Sequence, residues 1–291
     1  MIYVPRRRVW TQQPFGSPRI AVGRSAPIAV VVPGQNSYAK NLSNAGLYEP
    51  NAAPTGTGVH TIIGPLGASV GSVGSSSLDT IRLHSVANQT NTVWERPTSA
   101  VSVLVYLIRR GNAGGNSPIF ANSSPSTAPY TAWGLVDSGG IGNLQFQSAP
   151  GGTYTALTDS GVVANNVPIC VIGIYDGSTC SLFVNNTLRA SAAGSGALAY
   201  PNAVNRGPAV GNFYNYTGAA RSFVGEIYLC ALWDRALIAA ERAAYSNNPN
   251  LVIAAANNDL YLPGALFPTL SSPRMTGITA TGGVPTVNYT F

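Results

Sequence analysis

Charge of either sign is scarce in this chain: only 9% of its 291 residues are Asp, Glu, Lys or Arg, and Lys40 is the sole lysine. About one quarter is usual for soluble domains, so solubility rests on small neutral polar groups and on turns filled by the 32 glycines. Such a surface suits dense packing against other protein or exposure outside a cell, and it equally suits a plain turn-rich β-protein. Histidine is limited to His60 and His84. His84 and Asp79 could be drawn as two members of a Ser-His-Asp set, but no nucleophile elbow or oxyanion loop accompanies them, and a turn-capping Asp beside a strand His is the expected reading. The three cysteines, Cys170, Cys180 and Cys230, show no metal-ligand spacing, so no metal and no cofactor is expected. The apolar runs at 28–32 and 101–108 are too short to span a bilayer, and no membrane partner is expected. Residues 1–10 are basic and Pro-bearing with no long apolar stretch behind them, unlike a secretory signal.

What charge there is falls unevenly. The net charge is +6, carried almost wholly by arginine. Arg6, Arg7 and Arg8, followed by Arg19 and Arg24, lie in an N-terminal stretch whose only acidic residue is Glu49, which concentrates positive potential on an arm. Three adjacent arginines ahead of Val9 and Trp10 suit a socket on another protein, where guanidinium forks pair with carboxylates and the indole anchors. Arg6, Arg7, Arg8 and Trp10 are therefore the candidate anchoring residues. No basic stripe interleaved with aromatics continues downstream, so nucleic acid is not the expected partner.

The most legible stretch is 170–189, CVIGIYDGSTCSLFVNNTLR. It reads as consecutive strands joined by turns at Asp176-Gly177 and Asn185-Asn186, because Gly takes positive φ freely and Asn tolerates it. If Tyr175 pairs with Cys180, Cys170 falls opposite Asn185 and the two thiols point to opposite faces, too far apart for a disulfide. The run 101–108 is apolar at successive positions and is expected at the centre of a sheet covered on both sides. Segments 77–84, 118–120, 133–136, 143–147 and 153–157 follow as short strands between Gly-rich turns, the rhythm of a sandwich. Gly282-Gly283 could turn a terminal hairpin whose Pro285 keeps that strand at an edge.

Together with Ala209-Val210-Gly211, Phe223-Val224-Gly225-Glu226-Ile227 and Trp233-Asp234-Arg235-Ala236-Leu237, this pattern resembles the laminin-G-like, concanavalin-A-type β-sandwich. The resemblance implies an all-β fold, a two-sheet antiparallel jelly-roll with extended N- and C-terminal arms and one short helix. Residues 1–74 would form the N-terminal arm and lead-in strands, 75–250 the sandwich and 251–291 a C-terminal extension. Asn186 stands where the family usually has Gly, and Ile238 stands where it has a capping Ser, Thr or Asp, leaving the helix start to packing or to Asp234.

Hydrolases on this sandwich line one strand with carboxylates at alternate positions, and the ten acidic residues here are scattered instead. No catalytic residue is expected. Asp176 could hold calcium as loop acids do in some family members, but one charge is too few for a hard cation and a turn role is expected. The loop after Gly211 offers Phe213, Tyr214, Tyr216 and Arg221 as candidate glycan-binding residues, for pyranose stacking and hydrogen bonding; the same aromatics could equally cover a sandwich edge or meet a neighbouring subunit.

The opening residues MIYVPRRRVWT and the closing residues PTVNYTF resemble the ends of proteins from tailed-phage and prophage structural gene clusters. That resemblance implies a non-enzymatic virion protein, assembled in the bacterial host cytoplasm and displayed on the particle as a capsid decoration or auxiliary protein. Its partners would be other virion proteins, major capsid or tail proteins, and further copies of itself in a homo-oligomer. The alternative is a tail or fibre adhesin module binding host-surface glycans, and a capsule-degrading enzyme comes third.

Overall fold

A computed structural model of the chain describes residues 27–35, 38–41, 54–55, 59–64, 67–72, 80–82, 96–111, 115–138, 143–159, 163–202, 207–213, 221–249, 251–252, 274–281 and 284–290. Arg6, Arg7, Arg8, Trp10, His84 and Asp79, together with Tyr214 and Tyr216, lie outside the described residues.

The strands, in chain order, begin with β1 (Ala29–Gln35), β2 (Tyr38–Asn41), β3 (Pro54–Thr55), β4 (Val59–Gly64), β5 (Gly67–Ser72) and β6 (Thr80–Arg82). They continue with β7 (Val101–Arg109), β8 (Ser117–Ser123), β9 (Thr131–Asp137), β10 (Leu144–Ser148), β11 (Thr155–Thr158) and β12 (Pro168–Tyr175). After β13 (Thr179–Val184), β14 (Thr187–Ala193), β15 (Gly207–Val210) and β16 (Gly225–Trp233) comes the helix α1 (Ala239–Asn247). A last pair, β17 (Arg274–Thr281) and β18 (Val284–Thr290), forms its own two-stranded sheet with Thr281 opposite Val284. Gly282 and Gly283 lie outside the described residues, and Pro285 sits in a sheet where both strands are edges.

All pairings in the two main sheets are antiparallel. One runs β14-β13-β12-β7-β16-β1-β2, with β5 also on β16 and β4 on β5. The other runs β11-β10-β9-β8-β15-β6-β3. The lead-in strands thus extend both sheets, and the strand read over 77–84 is described only as the three residues of β6.

The sheets face each other through one apolar layer. Val101, Val103, Val105 and Leu107 of β7 meet Phe120, Trp133, Leu135 and Phe146 of the opposite sheet, all fully buried. Phe120 and Trp133 pack edge to face with centroids 5.2 Å apart, a geometry that adds roughly 0.5–1.5 kcal/mol to burial of the same area. The alternate β7 residues Leu104, Tyr106 and Ile108 belong to a second cluster with Tyr228, Leu229, Trp233, Leu237, Tyr245 and Val252. This is why 101–109 is apolar on both faces: α1 and the turn before it cap the outer side. Trp233 stacks on Tyr245 at 5.5 Å, the Tyr106 hydroxyl donates to the Tyr245 carbonyl, and the Arg242 guanidinium lies 4.2 Å above the Phe183 ring. Ser102 ties the same turn down, donating to the Arg235 carbonyl at 2.7 Å and accepting the Leu237 N–H at 2.9 Å.

The helix start is held differently from the expectation at Asp234, which is exposed. Ile238 occupies the N-cap with extended backbone, and Glu241 reaches back to accept its N–H at 3.1 Å. Arg235 fixes that carboxylate through two bonds of 2.8 Å. Half of a capping box survives, supplied by the third helical residue because an Ile side chain cannot accept.

The hairpins of 170–193 follow the sequence closely. Asn185 and Asn186 both adopt positive φ, 47° and 62°, closing a two-residue turn between Val184 and Thr187. Tyr175 pairs with Cys180, and Asn185 sits across from Cys170, exchanging a 2.8 Å and a 2.9 Å bond with its backbone. All three cysteines are free and buried.

Candidate functional site

The end of the sandwich bearing the candidate sugar loop is built on β15 and β16. Past Val210 the chain leaves the sheet, and Gly211 keeps both strands in reach: its N–H donates to the Ile119 carbonyl at 2.9 Å and its carbonyl accepts the Phe223 N–H at 2.7 Å. Asn212, fully buried, closes the base of the loop by donating to Ser222 Oγ at 3.1 Å and accepting the Phe213 N–H at 2.7 Å. Phe213 is itself buried, 7% exposed, and the Arg221 guanidinium carbon stands 5.8 Å from its ring centroid. Of the four glycan-binding candidates, Phe213 and Arg221 are thus brought together at the neck of the loop, one covering the other. A ring only 7% exposed offers little face to a sugar, and Tyr214 and Tyr216 lie outside the described residues.

Asp176 has a defined structural task. Its Oδ1 accepts the Ser178 N–H at 2.9 Å, the Ser178 hydroxyl at 2.9 Å and the Thr179 N–H at 2.7 Å. Partial burial by itself would raise the carboxyl, but these bonds to its ionised form hold it below the usual value. The Asp176 N–H also donates to the Thr179 carbonyl at 3.1 Å, so Gly177 and Ser178 form the tip, with positive φ at Gly177 alone. Asp176 closes this tight turn with its side chain, and Tyr175 pairs with Cys180 beyond it. Among the described residues, no three His, Cys, Asp or Glu side chains gather where they could hold a metal ion.

Three of the other described acids are also tied into the scaffold, while Asp159 is buried and Asp234 exposed. Asp137, on the last residue of β9, receives Arg109 Nε at 2.8 Å and Nη2 at 3.3 Å, with both side chains fully buried. Asn165 accepts the third contact of that guanidinium at 2.9 Å. Glu226 is held by Arg110 Nε at 2.7 Å and by the Tyr228 hydroxyl, and Glu241 by Arg235. A carboxylate clamped by its own guanidinium is poorly placed to pass a proton to a substrate, and glycoside hydrolysis needs two carboxyls facing one cleft. A cleft of about 160 Å³ opens beside α1, lined by Tyr106, Ile169, Cys170, Asn185, Ser246 and Pro249, smaller than the roughly 300 Å³ at which ligand pockets begin.

Sequence reading passed over two exposed tyrosines, Tyr130 and Tyr154, which meet edge to face at 6.4 Å on neighbouring loops. They lie 24 positions apart, one after a proline and one after a Gly-Gly-Thr turn, and only the pairing of β8 to β11 brings them together.

Similarity to known proteins agrees with this architecture. Domain 4 of AbnA, an extracellular arabinanase from Geobacillus stearothermophilus seen in complex with arabinotriose, superimposes with a TM-score of 0.55 at 14% identity, covering 76% of this chain and 98% of that one. The binding domain of Paraclostridial mosquitocidal protein 1 gives 0.54 at 14% identity over 77% of this chain. The receptor-binding domain of botulinum neurotoxin C/D mosaic serotype gives 0.52 at 14% identity over 76%. This chain spans only about half the length of those two, 52% and 51%. At such identities the likeness is one of fold. No curated protein matches the sequence. A laminin-G-type family model, described as the concanavalin A-like lectin/glucanases superfamily, matches residues 74–241, more than half of the chain. On that match, and on the two-sheet sandwich it spans, the chain belongs to the concanavalin A-like lectin/glucanases superfamily.

Proposed function

We propose that this chain is a non-enzymatic phage virion protein, its sandwich displayed on the particle as a capsid decoration or auxiliary protein and its terminal arms, Arg6, Arg7, Arg8 and Trp10 foremost, serving as the anchor. The observation that carries the non-enzymatic part is the use made of the acids: Asp137, Glu226 and Glu241 are each bonded to an arginine of the scaffold, and Asp176 closes a turn. The virion part rests on the two chain ends and on a surface whose few charges are partly consumed inside the fold, leaving neutral polar groups suited to close contact with other subunits.

The test is a chain lacking residues 1–26, which keeps β1 and β2 and the pairing of β1 with β16 and β2, supplied during particle assembly. It should express and fold yet stay off the particle, and incorporation at the level of the full chain overturns the anchoring role. The particle component crosslinked to the arm then distinguishes head from tail.

A second reading, a tail or fibre adhesin module for host-surface glycans, is favoured by the likeness to nearly the whole of an arabinotriose-bound domain. Replacing Tyr214, Tyr216 and Arg221 together by Ala should then lower glycan binding and leave assembly intact. Loss of assembly with no glycan binding by the full chain returns the loop to a subunit contact.

A further inference from the structure

We propose that Tyr130 and Tyr154 form a second binding site, an aromatic corner that stacks a ring of an uncharged polysaccharide. This rests on the glycan-binding reading above and places recognition on a different part of the sandwich, the loops β8–β9 and β10–β11. The two rings are 49% and 39% exposed and nearly perpendicular, at 86°. One ring face and the neighbouring phenol edge then bound a right-angled recess, into which a sugar can lay its C–H face on one ring while its rim meets the other.

The loops hold that corner firmly. Tyr130 has φ of 65°, a conformation uncommon for any residue with a side chain and rarer still for a bulky one. It is kept there by its N–H on the Thr127 carbonyl at 2.9 Å and its carbonyl on the Ser124 N–H at 2.7 Å. A backbone position that would suit Gly or Asn instead carries a large aromatic whose ring stays half in solvent, so burial does not account for it; strain of this kind gathers at binding sites. The second loop is pinned from below, Gly151 N–H on the Ala197 carbonyl at 2.8 Å and Thr153 N–H on the Pro150 carbonyl at 2.9 Å. Ordered aromatic loops lose little conformational freedom on binding.

The two loops that carry the corner are themselves uncharged. Neither 124–130 nor 149–155 contains an ionisable residue other than the two tyrosines. Behind the corner a relay of neutral groups, its Thr131 and Gln147 buried, ties β9 to β10 and β11: Thr131 Oγ1 donates to Gln147 Oε1 at 2.9 Å, Gln147 Nε2 to Gln145 Oε1 at 2.8 Å, and Gln145 Nε2 to Thr158 Oγ1 at 3.0 Å. Partial burial pushes the Tyr154 phenol up to about 12, so its hydroxyl stays a donor at physiological pH. Loops with no guanidinium or carboxylate of their own suit an uncharged sugar better than a uronate or sialate.

The test titrates the full chain calorimetrically with maltohexaose, cellohexaose, xylohexaose and arabinohexaose, with hexagalacturonate and sialyllactose as charged probes. At least one neutral oligosaccharide should bind. Tyr154→Ala and Tyr130→Gly should each weaken it about tenfold or more, the loss expected for one stacked ring, while Tyr130→Phe stays within about threefold because the stacking face remains. Tyr130→Gly suits the backbone at that position, so its melting temperature should not fall and misfolding is separated from lost contact. Saturation-transfer NMR should mark the C–H protons of one sugar face. Unchanged binding in Tyr130→Gly/Tyr154→Ala, or preference for the charged probes, overturns the site. If binding instead vanishes on Tyr214→Ala/Tyr216→Ala, this site falls and the glycan reading survives; absence of all neutral binding removes both.

Discussion

Phe146 on β10 lies flat against Gly173 on β12, so closely that a β-carbon at residue 173 would stand 2.1 Å from Phe146 Cδ2 and 2.5 Å from its Cγ. The ring crosses the space between the two sheets and rests on bare backbone. A glycine in the middle of a long apolar strand weakens the strand by itself, since it adds no packing surface and loses more entropy on folding. Here the missing side chain is what lets the opposing sheet approach.

Gly173→Ala should therefore destabilise the sandwich by roughly 1–3 kcal/mol, the usual penalty for forcing a methyl into a filled core. Phe146→Ala should cost about 3–5 kcal/mol by leaving a cavity. The double variant should cost less than the sum, because the new methyl occupies part of the space the ring vacates. Urea denaturation of the four proteins measures this directly, and strict additivity would show that the two residues do not share one site.

Arg109 and Asp137 make a second inter-strand relationship, both fully buried at the ends of β7 and β9. Removing one partner leaves an uncompensated charge, so Asp137→Ala should cost about 3–5 kcal/mol. Arg109→Met combined with Asp137→Leu should recover most of that loss, because the desolvation penalty disappears together with the pair. If the double apolar variant is no more stable than Asp137→Ala, the pair supplies attraction beyond its desolvation cost.

Local chemistry was the readable part of the sequence. Asn185-Asn186 announces its turn because the two residues that need positive φ are adjacent, and the 101–108 run announces a central strand because it has no polar face to leave outside. Asp176 is legible as a turn residue, but the three bonds its carboxylate accepts from Ser178 and Thr179 are not. Partners distant in sequence were not legible. Arg109 and Asp137 are 28 positions apart, and nothing in either segment names the other. The same holds for Glu241 displacing Asp234 at the helix start, where the decisive fact is that Arg235 aims the Glu241 carboxylate back at the Ile238 N–H. Phe213 is a sugar-binding or edge-covering candidate by type and loop position, and its burial beside Arg221 depends on how the chain returns at Ser222.

The helix start yields a stabilising change. Ile238 is 63% exposed at the N-cap and its side chain accepts no hydrogen bond. Glu241 already supplies the return half of a capping box, so Ile238→Ser should complete it and raise stability by about 1 kcal/mol. Glu241→Ala should destabilise by a similar or larger amount, since it releases both the Ile238 N–H and Arg235. Thermal unfolding of the two variants should move in opposite directions; a Ser variant that melts lower would show that Ile238 packs against a neighbour.

The thiols set an upper pH limit on the fold. Burial is the main cause that lifts Cys170 from 9.0 to about 12, against hydrogen bonds from Ser246 and Tyr106 that pull it down. Burial also lifts Cys230 well above its ordinary value, and Cys180 is raised by burial against a Ser148 bond that lowers it. Folding thus raises the pKa of each, so the stability linked to the protonated thiol is fully present below about pH 9. It declines as the unfolded chain ionises and the native chain does not, for Cys170 across the window from 9 to about 12. Each fully shifted thiol contributes a slope of about 1.4 kcal/mol per pH unit within its window. At pH 8 a thiol-reactive disulfide reagent should label none of the three cysteines in the native protein and all three in denaturant. Cys170→Val should flatten the fall in stability between pH 9 and 10.5 measured by urea titration, whereas an unchanged slope would mean that the Cys170 thiol ionises as readily in the native fold as in the unfolded chain.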